Sequence, residues 1–145
     1  MNEFIDYSSQ LQQELEMLPR DYSLIMARGK RDVVIHSPLN YNLGRFLIFL
    51  DNYYKKIPDK VRITTFGIDG PPTTSILLYD GNYLTYVVDG TRFQTRQWHI
   101  YHGKDMIIRK RDWYKDVILD YNLITLDGDE IPILHVWAGL EPVTR

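Results

Sequence analysis

Runs of β-branched and aromatic residues recur through the middle of the chain, at Val61 to Ile68, Thr73 to Tyr79 and Tyr83 to Val88. They are separated by Asp69-Gly70-Pro71-Pro72 and Asp80-Gly81, and such runs between turn formers predict strands. Three Asp-Gly steps, at Asp80-Gly81, Asp89-Gly90 and Asp127-Gly128, mark where extended segments reverse. Asp-Gly suits a two-residue hairpin because a type I′ turn needs positive φ at both central positions, which glycine accepts and aspartate tolerates. The runs therefore predict an antiparallel meander. In the first of them Val61, Ile63 and Thr65 alternate with Arg62, Thr64 and Phe66, so one face can meet a core while the other stays partly wet. Past Asp89-Gly90-Thr91-Arg92 the pattern is weaker. Trp98 to Tyr101, Met106 to Arg111, Val117 to Thr125 and Ile131 to Trp137 predict strands that extend the sheet or form a second small hairpin layer.

Helical spacing shows in two places. Tyr7 to Leu18 carries Leu11, Leu15 and Leu18 on one narrow stripe and stops at Pro19. That stripe predicts a lid over a sheet edge, with half of an oligomer contact as the alternative. Asp21 to Ala27 predicts a short helical turn stopped by Gly29, and Asp32 to His36 a brief strand closed by Ser37-Pro38, since proline gives the ladder no amide hydrogen. Asn42 then stands as N-cap to a longer helix, with Leu43, Phe46, Leu47, Leu50, Tyr54 and Ile57 at the spacings of a buried face. Lys55 and Lys56 meet its negative dipole end, and Pro58 stops it. The expected fold class is α+β: a mainly antiparallel sheet, a meander of hairpins, packed against one long amphipathic helix, with an N-terminal helix. No repeat or linker divides the chain, so residues 1–145 read as a single domain. Within it lie an N-terminal helix at 1–20, a strand-helix-meander core at 32–92, and C-terminal strands and a hairpin at 93–145.

Composition narrows the chemistry. A domain of this length buries roughly 68–70% of its unfolded surface and folds without staples. The absence of cysteine excludes disulfides, thiolate metal sites and cysteine nucleophiles, so a zinc site would need histidine and carboxylate alone. A net charge of −2 gives no global field to gather nucleic acid or anionic membrane. Glu3 and Asp6 stand where a secretion signal would be positive, and no apolar stretch approaches the ~20 residues that span a bilayer. A cytoplasmic location without a membrane partner is expected; the alternative is an exported protein whose signal has been removed. Eleven tyrosines suit half-exposed sheet faces and contact surfaces alike.

Residues 22–92 also carry a family likeness. Asp21-Tyr22-Ser23-Leu24, Asp32-Val33-Val34 with His36, Asn42-Leu43 with Arg45-Phe46, and Phe49-Leu50 are followed by Asp59 to Thr65, Ile68-Asp69-Gly70, Tyr79-Asp80-Gly81 and Asp89-Gly90-Thr91-Arg92. In order and spacing this block resembles the domain of unknown function 4362 family, small uncharacterised proteins of Gram-positive bacteria. The family has no assigned activity, so the resemblance lends no catalytic residue. Many members look like exported lipoproteins with an anchoring cysteine, which this chain lacks. The tail from Gln94 onward, with Trp98, Trp113 and Trp137, lies beyond the match.

Candidate chemistry is sparse. His99 and His102 form the closest histidine pair, but period-two alternation sends them to opposite faces of a strand, and no metal or cofactor is expected. Asp69, Asp80, Asp89 and Asp127 fall in expected turns, where aspartate bonds its own backbone, and the serines lack a Gly-x-Ser-x-Gly setting. No enzyme is expected. Residues 92–115 are the most basic stretch and interleave rings with cations, and Arg92, Arg96, Trp98, Tyr101, Arg109, Arg111 and Trp113 are the candidate binding residues. Arginine beside aromatic rings composes a protein interface or a surface that stacks bases and neutralises phosphate. The leading expectation is a non-enzymatic domain that binds a protein partner, as a monomer or small homo-oligomer. The alternative is binding of an anionic small ligand or nucleotide by segment 92–115; nucleic acid is not the expected partner.

Overall fold

A computed structural model describes residues 3–68 and 70–138; the Asp69 carboxylate and the last residues of segment 93–145 lie outside the described residues. In chain order the elements are α1 (Ser8–Glu16), α2 (Leu24–Gly29), β1 (Val33–His36), β2 (Leu39–Tyr41), α3 (Leu43–Tyr54), β3 (Asp59–Thr65), β4 (Thr73–Tyr79), β5 (Leu84–Gly90), β6 (Gln97–Trp113), β7 (Asp116–Thr125) and β8 (Glu130–Ala138). The strands form one eight-stranded sheet in the order β2-β1-β3-β4-β5-β6-β7-β8. From β3 to β8 each strand pairs antiparallel with the next, as the meander reading expects. The sheet is nonetheless mixed, because β1 runs parallel to β3.

The expected fold class is overturned. The chain is mostly strand, its sheet is curled into a half-barrel, and no long helix is packed on it. The 12-residue α3 instead sits within the curl. Its Phe46, Phe49 and Leu50 share one apolar cluster with Val33, Val61, Ile63, Leu77, Leu123 and Val136, and Phe46 meets the Tyr121 ring edge-on at 5.1 Å. Burial along α3 follows three-residue steps through Leu43, Phe46 and Phe49. With Leu50 these define a buried arc of about 120°, at about 100° per residue, and Leu47 and Tyr54 lie beyond its Leu43 edge. Leu47 and Tyr54, which the sequence spacing assigns to the buried face, are accordingly 46% and 61% exposed. Asn42 precedes the helix at φ 59° and makes no side-chain cap; its Nδ2 donates to Arg31 O at 2.7 Å.

The N-terminal helix is present as the short α1, and it covers the sheet's outer face rather than an edge. Leu11 and Leu15 pack on Ile76 and Val87 of the central strands β4 and β5. On the same side α2 is capped by Ser23 Oγ, which accepts from Met26 N–H at 3.1 Å, and its Ala27 lies in a small cluster with Tyr22 and Val34.

Curling depends on β6, which the sequence reads as two strands and which is one strand of 17 residues. Its first part, Gln97 to Gly103, pairs with β5, and its second, Asp105 to Trp113, with β7. The register shifts between Gly103 and Asp105, so Lys104 is an extra, unpaired residue. A bulge of this kind bends a strand and increases its twist. It turns β7 and β8 over the interior, where Tyr86 Oη donates to Ile133 O at 3.5 Å.

Reversals occur near all three Asp-Gly steps, but not as two-residue type I′ turns. Tyr79 pairs with Leu84 across a four-residue loop, in which Gly81 has φ 100° while Asp80 keeps negative φ. The Asp80 carboxylate accepts from the N–H groups of Asn82 and Tyr83. Its short acceptor side chain, rather than its tolerance of positive φ, is what suits it to the turn.

Candidate functional site

The seven candidate binding residues are distributed over several regions of the fold. Arg92 is buried, its side chain 3% exposed. Its Nε and Nη2 donate to Arg20 O and Pro19 O, and Asp89 lies 3.8 Å away. Burial lowers the Arg92 pKa. The residue ties the link between α1 and α2 to the end of β5 and belongs to the fold. Arg96 is exposed in the loop after β5. Trp98 packs under α1, whereas Tyr101, three residues on, faces the interior and stacks on Tyr86 at 6.2 Å. Odd spacing on a strand separates them. Arg109 gives two hydrogen bonds to Glu130, at 2.6 and 2.8 Å.

Arg111 and Trp113 alone of the seven share a cleft. It measures about 210 Å3 and is lined by Ser37, Arg111, Trp113, Ile118, His135 and Trp137. Sheet register builds it. Arg111 pairs with Ile118 and Ile118 with Trp137, so the three stand abreast across β6, β7 and β8. The next row on that face is Arg109, Asp120 and His135. Ser37 reaches the cleft from the turn between β1 and β2.

One carboxylate organises its polar side. Asp120, 13% exposed, accepts from Arg111 Nε at 2.7 Å and from His135 Nδ1. Burial alone would push the Asp120 carboxyl up, but the hydrogen bonds from Arg111 and His135 outweigh it and hold it below the usual range. Beyond this network the hairpin ends in Trp113 and Tyr114. A two-residue turn, Tyr114-Lys115, joins the paired Trp113 and Asp116, with Tyr114 at φ 56°. The two rings meet at 5.3 Å and 90°, and they are 48% and 91% exposed. An apolar cleft between indoles, with a guanidinium and an imidazole fixed at its wall, can receive a side chain and bond its polar end.

Sequence reading missed Ser37, Ile118 and His135 as cleft residues and noted Trp137 only as part of the tail. The available signal was alternation: Arg109, Arg111 and Trp113 share a strand face, as do His135 and Trp137. Two other clefts gather polar side chains. One of about 290 Å3 adjoins the first through Ser37 and His135 and opens on Thr65, Thr73, Ser75 and Tyr86, whose phenol burial pushes up to about 12. Another, of about 460 Å3, gathers Lys30, Arg31, Arg45, Lys60 and Arg62, three of which already pair with Asp59, Glu14 and Asp32.

Among the described residues no group of three or more histidine and carboxylate side chains is placed to hold a metal ion, and no helix is long and apolar enough to cross a membrane. No family model, no curated protein and no solved structure matches the chain.

Proposed function

We propose that this chain is a non-enzymatic binding domain that engages a protein partner through the tip of the β6–β7 hairpin and the adjoining cleft. The observation that carries the reading is the exposure of Trp113 and Tyr114 together at a two-residue turn. Tryptophan and tyrosine dominate binding energy where they enter a partner's pocket, and the two-residue turn presents both rings side by side. The resemblance of residues 22–92 to the domain of unknown function 4362 family belongs to the same proposal and adds no catalytic group.

Anion binding by the arginines of segment 92–115 has less support. Arg92, Arg109 and Arg111 already donate to protein acceptors, so an anion would have to displace a carbonyl or a carboxylate.

The test is affinity capture of a partner by the purified chain, followed by titration with variants. Trp113→Ala is expected to weaken binding by about 2 kcal/mol or more, as a buried interface anchor does. Phe93→Ala, an exposed ring elsewhere, serves as the control. A partner bound equally well by Trp113→Ala and the unaltered chain would refute the reading.

A further inference from the structure

Four of the eleven tyrosines converge at the end of α3. Tyr53, Tyr54, Tyr79 and Tyr83 wall a cleft of about 390 Å3, with Lys56 and Lys104 at its border. The rings are fixed in place. Tyr53 meets Tyr79 edge-on at 5.0 Å and Tyr54 at 5.4 Å. Tyr53 Oη donates to Asp105 at 2.6 Å, and Tyr79 Oη to Gly81 O at 2.8 Å. Tyr83 is braced from behind by Phe4 at 5.5 Å.

Both lysines occupy unusual backbone positions. Lys104 is the extra residue at the β6 bulge, and bulges re-aim a side chain out of the ladder. Lys56 follows α3 at φ 60°, a conformation that glycine ordinarily supplies at a helix end. Lys55 pairs with Asp51 and Lys60 with Glu14, whereas Lys56 and Lys104 have no carboxylate partner among the described residues. The nearby carboxylates are turned to local use: Asp105 accepts from Tyr53 and Met106, and Asp80 from the N–H groups of Asn82 and Tyr83.

Four aromatic rings alone would suit a cation. Two unpaired ammonium groups at the rim reverse that preference, because they repel a cation and attract an anion. The volume lies at the low end of the ~300–1,000 Å3 of small-molecule sites, which favours one flat ring system over a dinucleotide. We propose that this cleft binds a small ring-bearing phosphate of nucleoside-monophosphate size, its ring against the tyrosines and its phosphate held by Lys56 and Lys104.

The site is separate from the hairpin tip, and the experiment keeps the two apart. Adenosine monophosphate and phenyl phosphate are titrated into the full chain and followed by amide chemical shifts. Saturable shifts centred on residues 53–56, 79–83 and 104 are expected, weaker as salt rises. The Lys56→Gln, Lys104→Gln double variant should lose at least about tenfold in affinity, Tyr54→Leu should lose several-fold, and Phe93→Ala, an exposed ring outside both sites, should bind as the unaltered chain does. Equal affinity for the two phosphates assigns a simple aryl phosphate, and tighter binding of adenosine monophosphate assigns a nucleotide; either supports the site. Adenosine binding as tightly as its monophosphate, saturation by choline, or no saturation by either phosphate up to about 10 mM overturns it. The double variant's thermal unfolding is measured alongside, so that lost binding is read only in a folded chain.

Discussion

Leu123 fills the space that a side chain at Gly103 would need. A Cβ placed there would lie 2.3 Å from Leu123 Cδ1 and 2.8 Å from its Cγ. Gly103 pairs with Leu84 on one side and Thr125 on the other, so this contact sits where β6 passes from β5 to β7. Gly103→Ala should destabilise the fold by about 1–3 kcal/mol through overpacking. Leu123→Ala alone should lose about 2–5 kcal/mol. Because the second change makes room for the first, urea denaturation of the double variant should show less than the sum, by at least about 0.5 kcal/mol. Simple additivity would mean that the two residues do not compete for space.

Asp32 anchors the outer face in a comparable way. Its side chain is 1% exposed and receives Arg62 Nε at 2.6 Å, Tyr22 Oη at 2.7 Å and Thr64 Oγ1 at 2.8 Å. Removing the carboxylate leaves Arg62 partly buried without its counter-charge. Asp32→Ala is expected to destabilise by about 3–5 kcal/mol in chemical denaturation, whereas Lys55→Ala, in an exposed pair with Asp51, should lose less than about 0.5 kcal/mol. Similar losses for the two would contradict this assignment.

Acid should remove the contribution that Glu130 makes across the outer β6–β8 rows. Hydrogen bonds from Arg109 and Asn122 hold the Glu130 carboxyl at about 2, below its ordinary 4.5. A depressed folded value adds stability that is present above the unfolded value and is lost as pH falls through the folded one. The stability difference between the unaltered chain and Glu130→Gln should therefore be full above pH 4.5 and fade toward about 2. Urea midpoints measured across that range check it. A difference that stays constant down to the lower limit is the contrary result.

Replacing Trp113 should leave the fold intact. The side chain is half-exposed at a hairpin end, so Trp113→Ala should shift stability by no more than about 0.5 kcal/mol. Phe46→Ala, wholly buried in α3, should lose about 3–5 kcal/mol. Thermal unfolding of the two variants separates a contact residue from a core residue. A large loss at Trp113 would place it in the core instead.

Local pattern and tertiary arrangement were legible to different degrees. Thr73 to Tyr79 is a strand with the bounds that its turn formers predict, because Pro72 and Asp80-Gly81 punctuate it on both sides. The parallel partnership of β1 and β3 has no local signature; it joins segments separated by β2 and α3. Gly103-Lys104 reads as a break between two strands, yet it is a bulge inside one, since a bulge and a turn both recruit glycine. Among site residues, closeness along the chain stood in for closeness in space. Arg92 and Arg96 fall in a loop, Trp98 and Tyr101 on opposite faces, and only Arg111 with Trp113 keeps both the right parity and the right end of the strand. Partners from Ser37 and His135 enter through the curl, which depends on the bulge at Lys104, on a second register shift at Tyr121–Asn122 where β7 pairs with β8, and on α3 rather than on any single segment.

Site-directed photocrosslinking probes the hairpin tip most directly. A benzoylphenylalanine replaces Tyr114 in one variant and Asp127, in the turn at the far end of the β7–β8 hairpin, in another. Irradiation in the presence of the captured partner should yield a covalent adduct from position 114 and not from 127, and adding Trp113→Ala should abolish it. Adducts from 127 alone, or a 114 adduct that persists without the Trp113 indole, would place the partner elsewhere and end the case for this tip.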